Sequence, residues 1–279
     1  MIFIVTALML EAAPIIDYFK LKKDMTIHPY SVYKGSDITF IVSGVGKLKS
    51  AMASVYLYTK YGSGENNVLI NIGFCGTNSK SFDTGSLLVV NKVTDMDTGK
   101  DYYPDVFFGD GIPQIPVECY PKVVKAVNLT EKKELFCDME SAGIMEASKK
   151  FFFAHNVLIL KIISDYLEPD KLDKAKLKGY IEMNMPILES IIKEMRHLNE
   201  GFGELPPEEE KDSIEALCLS LRFTQAMKLI LTKEVKRARI NGLEPLSSLK
   251  QFNEIKANSK EEGKKYFEYI IAKIKQKSV

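Results

Sequence analysis

Short apolar runs alternate with amphipathic stretches over the first half of the chain. Five apolar-rich runs are typical of strands buried on both faces, at residues 2–8, 38–43, 68–72, 87–93 and 157–163. Helical spacing occupies residues 12–19, 48–58 and 142–152 between them. Strands that alternate with helices in this way predict a layered α/β domain.

The remainder of the chain shows only helical patterns. Residues 173–198 are amphipathic, and Pro186 predicts a kink or a restart there. A linker with acidic first-turn residues at 201–210 precedes a helical stripe from Ile214 to Ile230, which Gly242 and Pro245 end. A final helix is expected at 260–277. We therefore predict an α/β domain at 1–200 and an all-helical C-terminal extension at 201–279.

Composition and charge exclude several classes of protein. The 279 residues are 46% hydrophobic and 27% charged, as in ordinary globular proteins, so global disorder is not expected. The net charge of +1 gives no general attraction to nucleic acid or anionic lipid. No apolar run reaches the roughly 18–20 residues that span a bilayer, and the N-terminus lacks the basic region of a signal peptide.

The cysteine spacing favours a reducing compartment. Neither a zinc site nor a disulfide framework is indicated by the four cysteines, which lie at 75, 119, 137 and 218 without CxxC spacing. We expect a cytoplasmic protein without a bound metal. Five basic residues between 228 and 239 could contact nucleic acid, but a solvated helix face is the preferred interpretation.

Acidic residues follow several of the predicted strands. Glu11 follows the first, a Gly73–Gly76 turn follows the third, and Asp138 with Glu140 and Asp165 follow later ones. Ligands of open α/β sheets bind outside the carboxyl ends of the strands. Each acidic residue alone is better explained as a helix cap or a turn residue. Their convergence at one edge is what indicates a site.

Six segments in order resemble the nucleoside phosphorylase/nucleosidase superfamily, most closely the methylthioadenosine/S-adenosylhomocysteine nucleosidases. They are Thr-Ala-Leu-Met-Leu-Glu at 6–11, Ser-Gly-Val-Gly-Lys at 43–47, Asn-Ile-Gly-Phe-Cys-Gly at 71–76, Thr-Gly-Ser-Leu-Leu-Val-Val at 84–90, Asp-Met-Glu-Ser at 138–141 and Ile-Ile-Ser-Asp at 162–165. The resemblance covers about residues 1–198. It implies a three-layer domain with a central mixed sheet.

The resemblance also implies a chemistry for these residues, without a cofactor. Asp165 would protonate the leaving purine at N7, and Glu11 would activate water on the opposite side of the sugar. Glu140 would bind the ribose hydroxyls and Met139 would pack under the ribose. The remaining substrate-binding residues would be Gly73, Phe74, Gly76 and Ser164.

Three departures from the family pattern affect specificity. Phe74 stands where the family usually has a small residue, and its ring could fill part of the sugar pocket. The segment at 119–136 is too short for the elements that usually contact the base in this family, so none of the family's base-binding residues can be assigned to a position in this sequence. The polar segment at 94–105 is interpreted as a surface loop, with a lid or a subunit contact as the alternative.

The leading function is hydrolysis of the N-glycosidic bond of a purine nucleoside. It includes 5′-modified substrates such as methylthioadenosine, S-adenosylhomocysteine and 5′-deoxyadenosine. A phosphorylase is the runner-up, because all four arginines lie at position 196 or later and only lysines, Lys47 first, could hold phosphate. A non-catalytic nucleoside sensor or partner-binding protein is the third possibility. We expect a small-molecule nucleoside as the ligand and a homo-oligomer, a dimer, as the assembly.

Overall fold

The computed structural model describes residues 1–26, 29–62, 66–106, 108–109, 111–126, 134–203, 208–240, 249–252 and 255–276. The chain divides into two compact units, Met1–His197 and Leu198–Val279. Each unit has a hydrophobic core of its own.

Ten strands of the first unit form one mixed sheet. In chain order they are β1 (Ile2–Thr6), β2 (Lys22–Lys23), β3 (Ser31–Lys34), β4 (Ile38–Val42), β5 (Val68–Thr77), β6 (Leu87–Asp95), β7 (Lys100–Tyr102), β8 (Gln114–Cys119), β9 (Phe136–Asp138) and β10 (Val157–Asp165). The order across the sheet is β10-β6-β8-β9-β5-β1-β4-β3-β2, and β7 pairs with β6. A further pairing of β10 with β5 closes five strands into a ring.

The parallel centre of the sheet positions the site. β1 runs parallel to β4 and β5, and β5 runs parallel to β10. The carboxyl ends of β1, β5 and β10 therefore lie at one edge of the sheet, where ligands of α/β sheets bind. The last two residues of β5 pair with β9, which brings Cys137 beside Gly76.

Helices cover both faces of this sheet. Since side chains alternate along a strand, Ile2 and Ile4 of β1 join one core, and Phe3 and Val5 join the other. The first core is covered by α1 (Met9–Tyr18), α4 (Lys174–Met183) and α5 (Met185–Gly203), and the second by α2 (Lys47–Tyr61) and α3 (Ser141–Phe151). The predicted three-layer α/β fold is confirmed.

Some elements differ from the sequence-based predictions. Of the kink or restart predicted at Pro186, the structure shows the restart, because α4 ends at Met183 and α5 starts at Met185, with the proline in its first turn. The 94–105 segment is not a loop throughout, since β6 continues to Asp95 and β7 returns along it. The pattern analysis missed β2, β3, β7 and β8, which are short or, in β8, interrupted by Pro116.

The second unit is helical wherever a regular element is described. It contains α6 (Glu208–Ser220), α7 (Gln225–Ile240) and α8 (Lys260–Gln276). Much of the predicted stripe lies in the core of this unit, at Ile214, Leu217, Cys218 and Leu221, but Ile230 is exposed. Lys228, in the basic cluster, forms an ion pair with Glu215. Gly242 and Pro245 lie outside the described residues. Among the described helices, none has the length and apolar character needed to cross a bilayer.

Candidate active site

A cavity of about 230 Å³ opens at the carboxyl ends of β1, β5 and β10. Its wall combines carboxylates, apolar side chains and two thiols from separate segments: Ala7, Leu8, Glu11, Val45, Phe74, Cys75, Gly76, Lys122, Val123, Val124, Cys137, Asp138, Met139, Glu140, Ser164, Asp165, Leu167, Pro169 and Leu172. Seven of the eight residues predicted for the site are in this wall, and the eighth, Gly73, lies just behind it.

Glu11 is fixed in the first turn of α1 by backbone donors. Its Oε2 accepts hydrogen bonds from the N–H groups of Ala7 at 2.9 Å and Leu8 at 2.8 Å, and its Oε1 accepts one from Phe74 at 3.0 Å. The side chain caps its own helix and joins β1 to β5. Burial raises the pKa of Glu11. The three backbone hydrogen bonds and the positive charge of the nearby Lys161 oppose that rise. The carboxylate is thus rigid, desolvated and facing the cavity.

Gly73 explains how so buried a carboxylate fits against β5. A Cβ at this position would lie 3.0 Å from Oε1 of Glu11, closer than ordinary contacts allow. The space beside Gly73 is thus filled by Glu11, and Gly73 itself is not in the cavity wall. Gly76, three residues further along the strand, does line the cavity.

Glu140 is held at the start of α3 by the turn that precedes α2. Gly46 donates its N–H to Oε1 of Glu140 at 2.9 Å, and its φ of 110° is one that glycine adopts readily. Burial raises the pKa of Glu140 to about 7, the ammonium of Lys161 lowers it, and the carboxylate of Asp138 raises it. Lys161 thus favours the ionised form of a carboxyl that burial and Asp138 drive toward protonation.

Asp165 ends β10, and its two oxygens are oriented by neighbours. Oδ1 accepts the N–H of Glu168 at 2.9 Å, and Oδ2 lies 2.5 Å from the hydroxyl of Ser164. The same hydroxyl lies 3.1 Å from the carbonyl oxygen of Cys75. A serine with one proton can donate to the Cys75 carbonyl while accepting from a neutral Asp165, and can donate to Asp165 once that residue is ionised.

Lys161 is a residue of this region that the sequence-based analysis missed. It lies in the middle of β10, its side chain is 1% exposed, and its Nζ is 2.7 Å from Oδ2 of Asp138. A lysine within the run Val-Leu-Ile-Leu-Lys-Ile-Ile-Ser-Asp is the signal that could have identified it, since a lysine is rarely buried without a partner. Although burial alone lowers it, Asp138 and Glu140 hold the pKa of Lys161 above its usual range.

The short segment after β8 forms part of the cavity wall. Lys122, Val123 and Val124 line it, and the N–H of Ala126 donates to the carbonyl of Leu167 at 3.0 Å. Residues 127–133 lie outside the described part of the chain. No residue of the 94–105 segment is in the wall, so this segment does not form a lid over the described cavity.

Carboxyl groups outnumber basic side chains in the described wall. Glu11, Asp138, Glu140 and Asp165 contribute carboxylates, and Lys122 is the one basic residue in the described wall. Lys47, the first candidate for holding phosphate, is instead paired with Asp95 at 2.7 Å and with Asp97. The described residues contain no group of three or more side chains that could hold a metal ion.

Comparison with known families agrees with this architecture. The sequence model of the phosphorylase superfamily matches residues 2–129, which include β1 to β8 and Glu11. The resemblance to the phosphorylase superfamily is confirmed. The match ends before Glu140 and Asp165. The assignment of these two residues to the site therefore depends on their place in the cavity wall. A search of curated protein sequences gives no match.

Solved structures are similar over a larger share of the chain. The 5′-methylthioadenosine/S-adenosylhomocysteine nucleosidase from Helicobacter pylori, bound to butyl-thio-DADMe-Immucillin-A, has a TM-score of 0.59 at 17% identity and covers 69% of this chain and 97% of its own. The futalosine hydrolase of Helicobacter pylori strain 26695 has a TM-score of 0.59 at 18% identity, with 69% and 97% covered. The nucleosidase from S. pneumoniae has 0.57 at 17% identity, with 69% and 98% covered. At these identities the likeness establishes the fold.

Proposed function

We propose that this superfamily member hydrolyses the N-glycosidic bond of a purine nucleoside and releases the free base. The observation that carries the proposal is the convergence of Glu11, Glu140 and Asp165, from three separate segments, on one cavity. Two carboxyl groups on opposite sides of a glycosidic bond can divide the work between an acid and a base. The similarity to structures named as nucleosidases and as a hydrolase supports the same class of reaction.

Asp165 is proposed to protonate the purine at N7. A neutral purine leaves ribose more readily than an anion does, and the C1′–N9 bond then lengthens toward an oxocarbenium-like state. Ser164, predicted to bind substrate, is better placed to orient Asp165, because its hydroxyl contacts that carboxyl at 2.5 Å. As the proton leaves Asp165, the hydroxyl can turn from Cys75 to the new carboxylate.

Glu11 is proposed to take a proton from the attacking water. Glu11 approaches β5 at Gly73, and Asp165 approaches it at Gly76. The two carboxyls therefore reach the cavity at different points along β5, and the sugar and the water are proposed to lie between them. Glu140 would accept hydrogen bonds from the ribose hydroxyls and favour the positive sugar, and Met139 would pack under the ring.

The charge of the wall favours water over phosphate as the nucleophile. The wall offers a phosphate dianion four carboxyl groups and one basic side chain, Lys122. Lys161 is paired with Asp138 behind the wall, and Lys47 is paired with Asp95. The remaining aspects of the proposal are a 5′-modified nucleoside such as methylthioadenosine as substrate, a cytoplasmic setting and a homodimer. Exposed apolar side chains at the rim, Leu8, Met9 and Val45 with Leu48 and Met52 on α2, support the dimer.

The test is release of free base from a panel of purine nucleosides that vary at the base and at the 5′ carbon. We expect release from at least one, and we expect Asp165→Asn to lower turnover by about 10²–10⁴-fold with little change in nucleoside affinity. Nucleoside binding without release by the wild-type protein would favour a sensor. An Asp165→Asn variant with normal turnover would remove this residue from the mechanism.

A further inference from the structure

The buried lysine behind the cavity is a charged group that the proposed mechanism does not use. Lys161 is fully buried, and it is absent from the wall of the cavity. In register it lies beside Gly73, whose missing side chain leaves room for Glu11. Its ammonium thus lies beneath the three carboxylates of Glu11, Asp138 and Glu140, where it cannot contact a ligand in the cavity.

Asp138 connects this lysine to the substrate-facing side of the site. Its Oδ2 forms an ion pair with Nζ of Lys161 at 2.7 Å and accepts a hydrogen bond from the N–H of Ser141 at 2.9 Å. Its Oδ1 accepts a hydrogen bond from the hydroxyl of Ser141 at 2.6 Å. Oδ2 also lies 3.3 Å from the N–H of Glu140. One carboxylate therefore fixes the start of α3, and Lys161 fixes that carboxylate.

We propose that Lys161 is a positioning residue, which acts through Asp138 to hold Glu140 toward the ribose and supplies the countercharge that keeps Glu140 anionic. The inference rests on the proposed function, since it assigns Glu140 to the sugar hydroxyls. Two carboxylates that are buried together without a cation favour protonation of one of them. A protonated Glu140 would donate to one ribose hydroxyl and lose its stabilisation of a positive sugar.

Lys161 is the cation among the described groups that act most strongly on Glu140. They are the N–H of Gly46 at the start of α2, Asp138 on β9, Glu11 on α1 and the ammonium on β10. The lowering effect of Lys161 on the pKa of Glu140 exceeds the raising effect of Asp138. Burial raises the pKa values of the nearby Cys75 and Cys119 thiols, so both remain uncharged at neutral pH.

The experiment compares Lys161→Met, Lys161→Arg and Lys47→Met in the full chain. Removing the ammonium should move the acidic limb of the pH profile of kcat/KM to higher pH by about 1–3 units, because an adjacent opposite charge lowers the pKa of a carboxyl by that amount. Lys161→Arg should restore the wild-type profile. Lys47→Met is the matched control, since it breaks another lysine–aspartate pair at 2.7 Å away from the wall and should leave the profile unchanged.

A second readout needs no substrate. Carboxyl ¹³C NMR, assigned with Glu140→Gln, follows the titration of Glu140 directly, so the inference can be tested even if the proposed hydrolysis fails. Should Lys161→Met not fold, the neutral double variant Lys161→Met/Asp138→Asn removes both charges. A smaller upward displacement is then expected, because the raising effect of Asp138 on the pKa of Glu140 is removed together with the larger lowering effect of Lys161. A folded variant without the ammonium that titrates Glu140 as the wild type does would overturn the proposal, and Lys161 would then be purely structural.

Discussion

At the scale of single residues, Phe74 serves the cavity through both its backbone and its ring. Its N–H holds Glu11 at 3.0 Å, and its side chain lines the cavity while packing on the first core. A substitution of Phe74 keeps the backbone hydrogen bond to Glu11 and removes the contacts of the ring. The residue is therefore suited to a test of specificity that leaves the proposed base in place.

Phe74→Ser is expected to widen the range of 5′ substituents that are accepted, since the space of the ring becomes available. Loss of a half-buried ring should also lower stability by about 1–3 kcal/mol. The measurement is the substrate profile over nucleosides with 5′ groups of increasing size. Phe19→Ser is the control, because Phe19 packs on the same core outside the wall and should cost stability alone. An unchanged profile in Phe74→Ser would mean that its ring does not border the 5′ group.

Individual carboxylates of the site could be predicted from their positions after strands. Glu11 and Asp165 follow apolar runs that form parallel strands, whose carboxyl ends share an edge, and the structure brings them to one cavity with Glu140, which follows β9. Lys161 could not be predicted in the same way, because its role depends on Asp138, which lies 23 positions earlier and reaches it only through the sheet. Ion pairs across a sheet leave no periodic signal in a sequence.

At the scale of elements, the turn between β4 and α2 links the sheet to Glu140. Gly46 has a φ of 110° and donates its N–H to that carboxylate at 2.9 Å. A side chain at this φ is strained by about 1–3 kcal/mol, and relief of the strain would reorient the N–H. The turn thus sets the direction of a side chain that lies 94 positions away.

Gly46→Ala is therefore expected to lower stability and to raise the KM for nucleoside. Gly99→Ala is a matched control, because Gly99 also has a positive φ, 69°, and open space around its Cα, but lies in the turn after β6. Thermal unfolding and steady-state kinetics of both variants separate the effects. Equal losses of stability with equal KM values would show that the turn has no part in orienting Glu140.

Elements were predictable where the hydrophobic pattern was long. The runs that gave β1, β4, β5, β6 and β10 are buried almost throughout, whereas β8 alternates between exposed and buried positions around Pro116. The cavity wall at Lys122 to Val124 had no sequence signal, because irregular backbone that follows a strand has no period. The pairing of β10 with β5, which closes the ring of strands, joins segments that are far apart in the chain and therefore has no local sequence pattern.

At the scale of the whole molecule, the helical unit contains the core that its apolar stripe requires. Ile214, Leu217 and Leu221 pack with Leu231 and Ile270 inside residues 198–279. Every residue of the cavity wall lies within Met1–His197. The sequence indicates where strands end and helices alone follow. It does not indicate which residues pack against the apolar stripe, because such a stripe can pack on any apolar surface.

A chain that stops after Gly203 is expected to fold and to retain base release, because it keeps α5 whole and both cores of the α/β unit. The measurements are turnover, thermal unfolding and mass in solution, each compared with the full chain. A change in oligomeric state would assign the helical unit to assembly of the protein. Loss of activity in a folded truncated chain would contradict the placement of the complete site within the first unit.

The central claim is that water, and not phosphate, attacks the nucleoside. The carboxylates of the described wall outnumber its one lysine, and the first candidate for holding phosphate, Lys47, is paired with Asp95. The most direct test runs the purified protein with its best nucleoside in phosphate-free buffer, adds phosphate, and analyses the sugar product. We predict full turnover without phosphate, with the free sugar of that nucleoside as the product. Turnover that begins only when phosphate is added, with the corresponding sugar 1-phosphate as the product, would contradict the account.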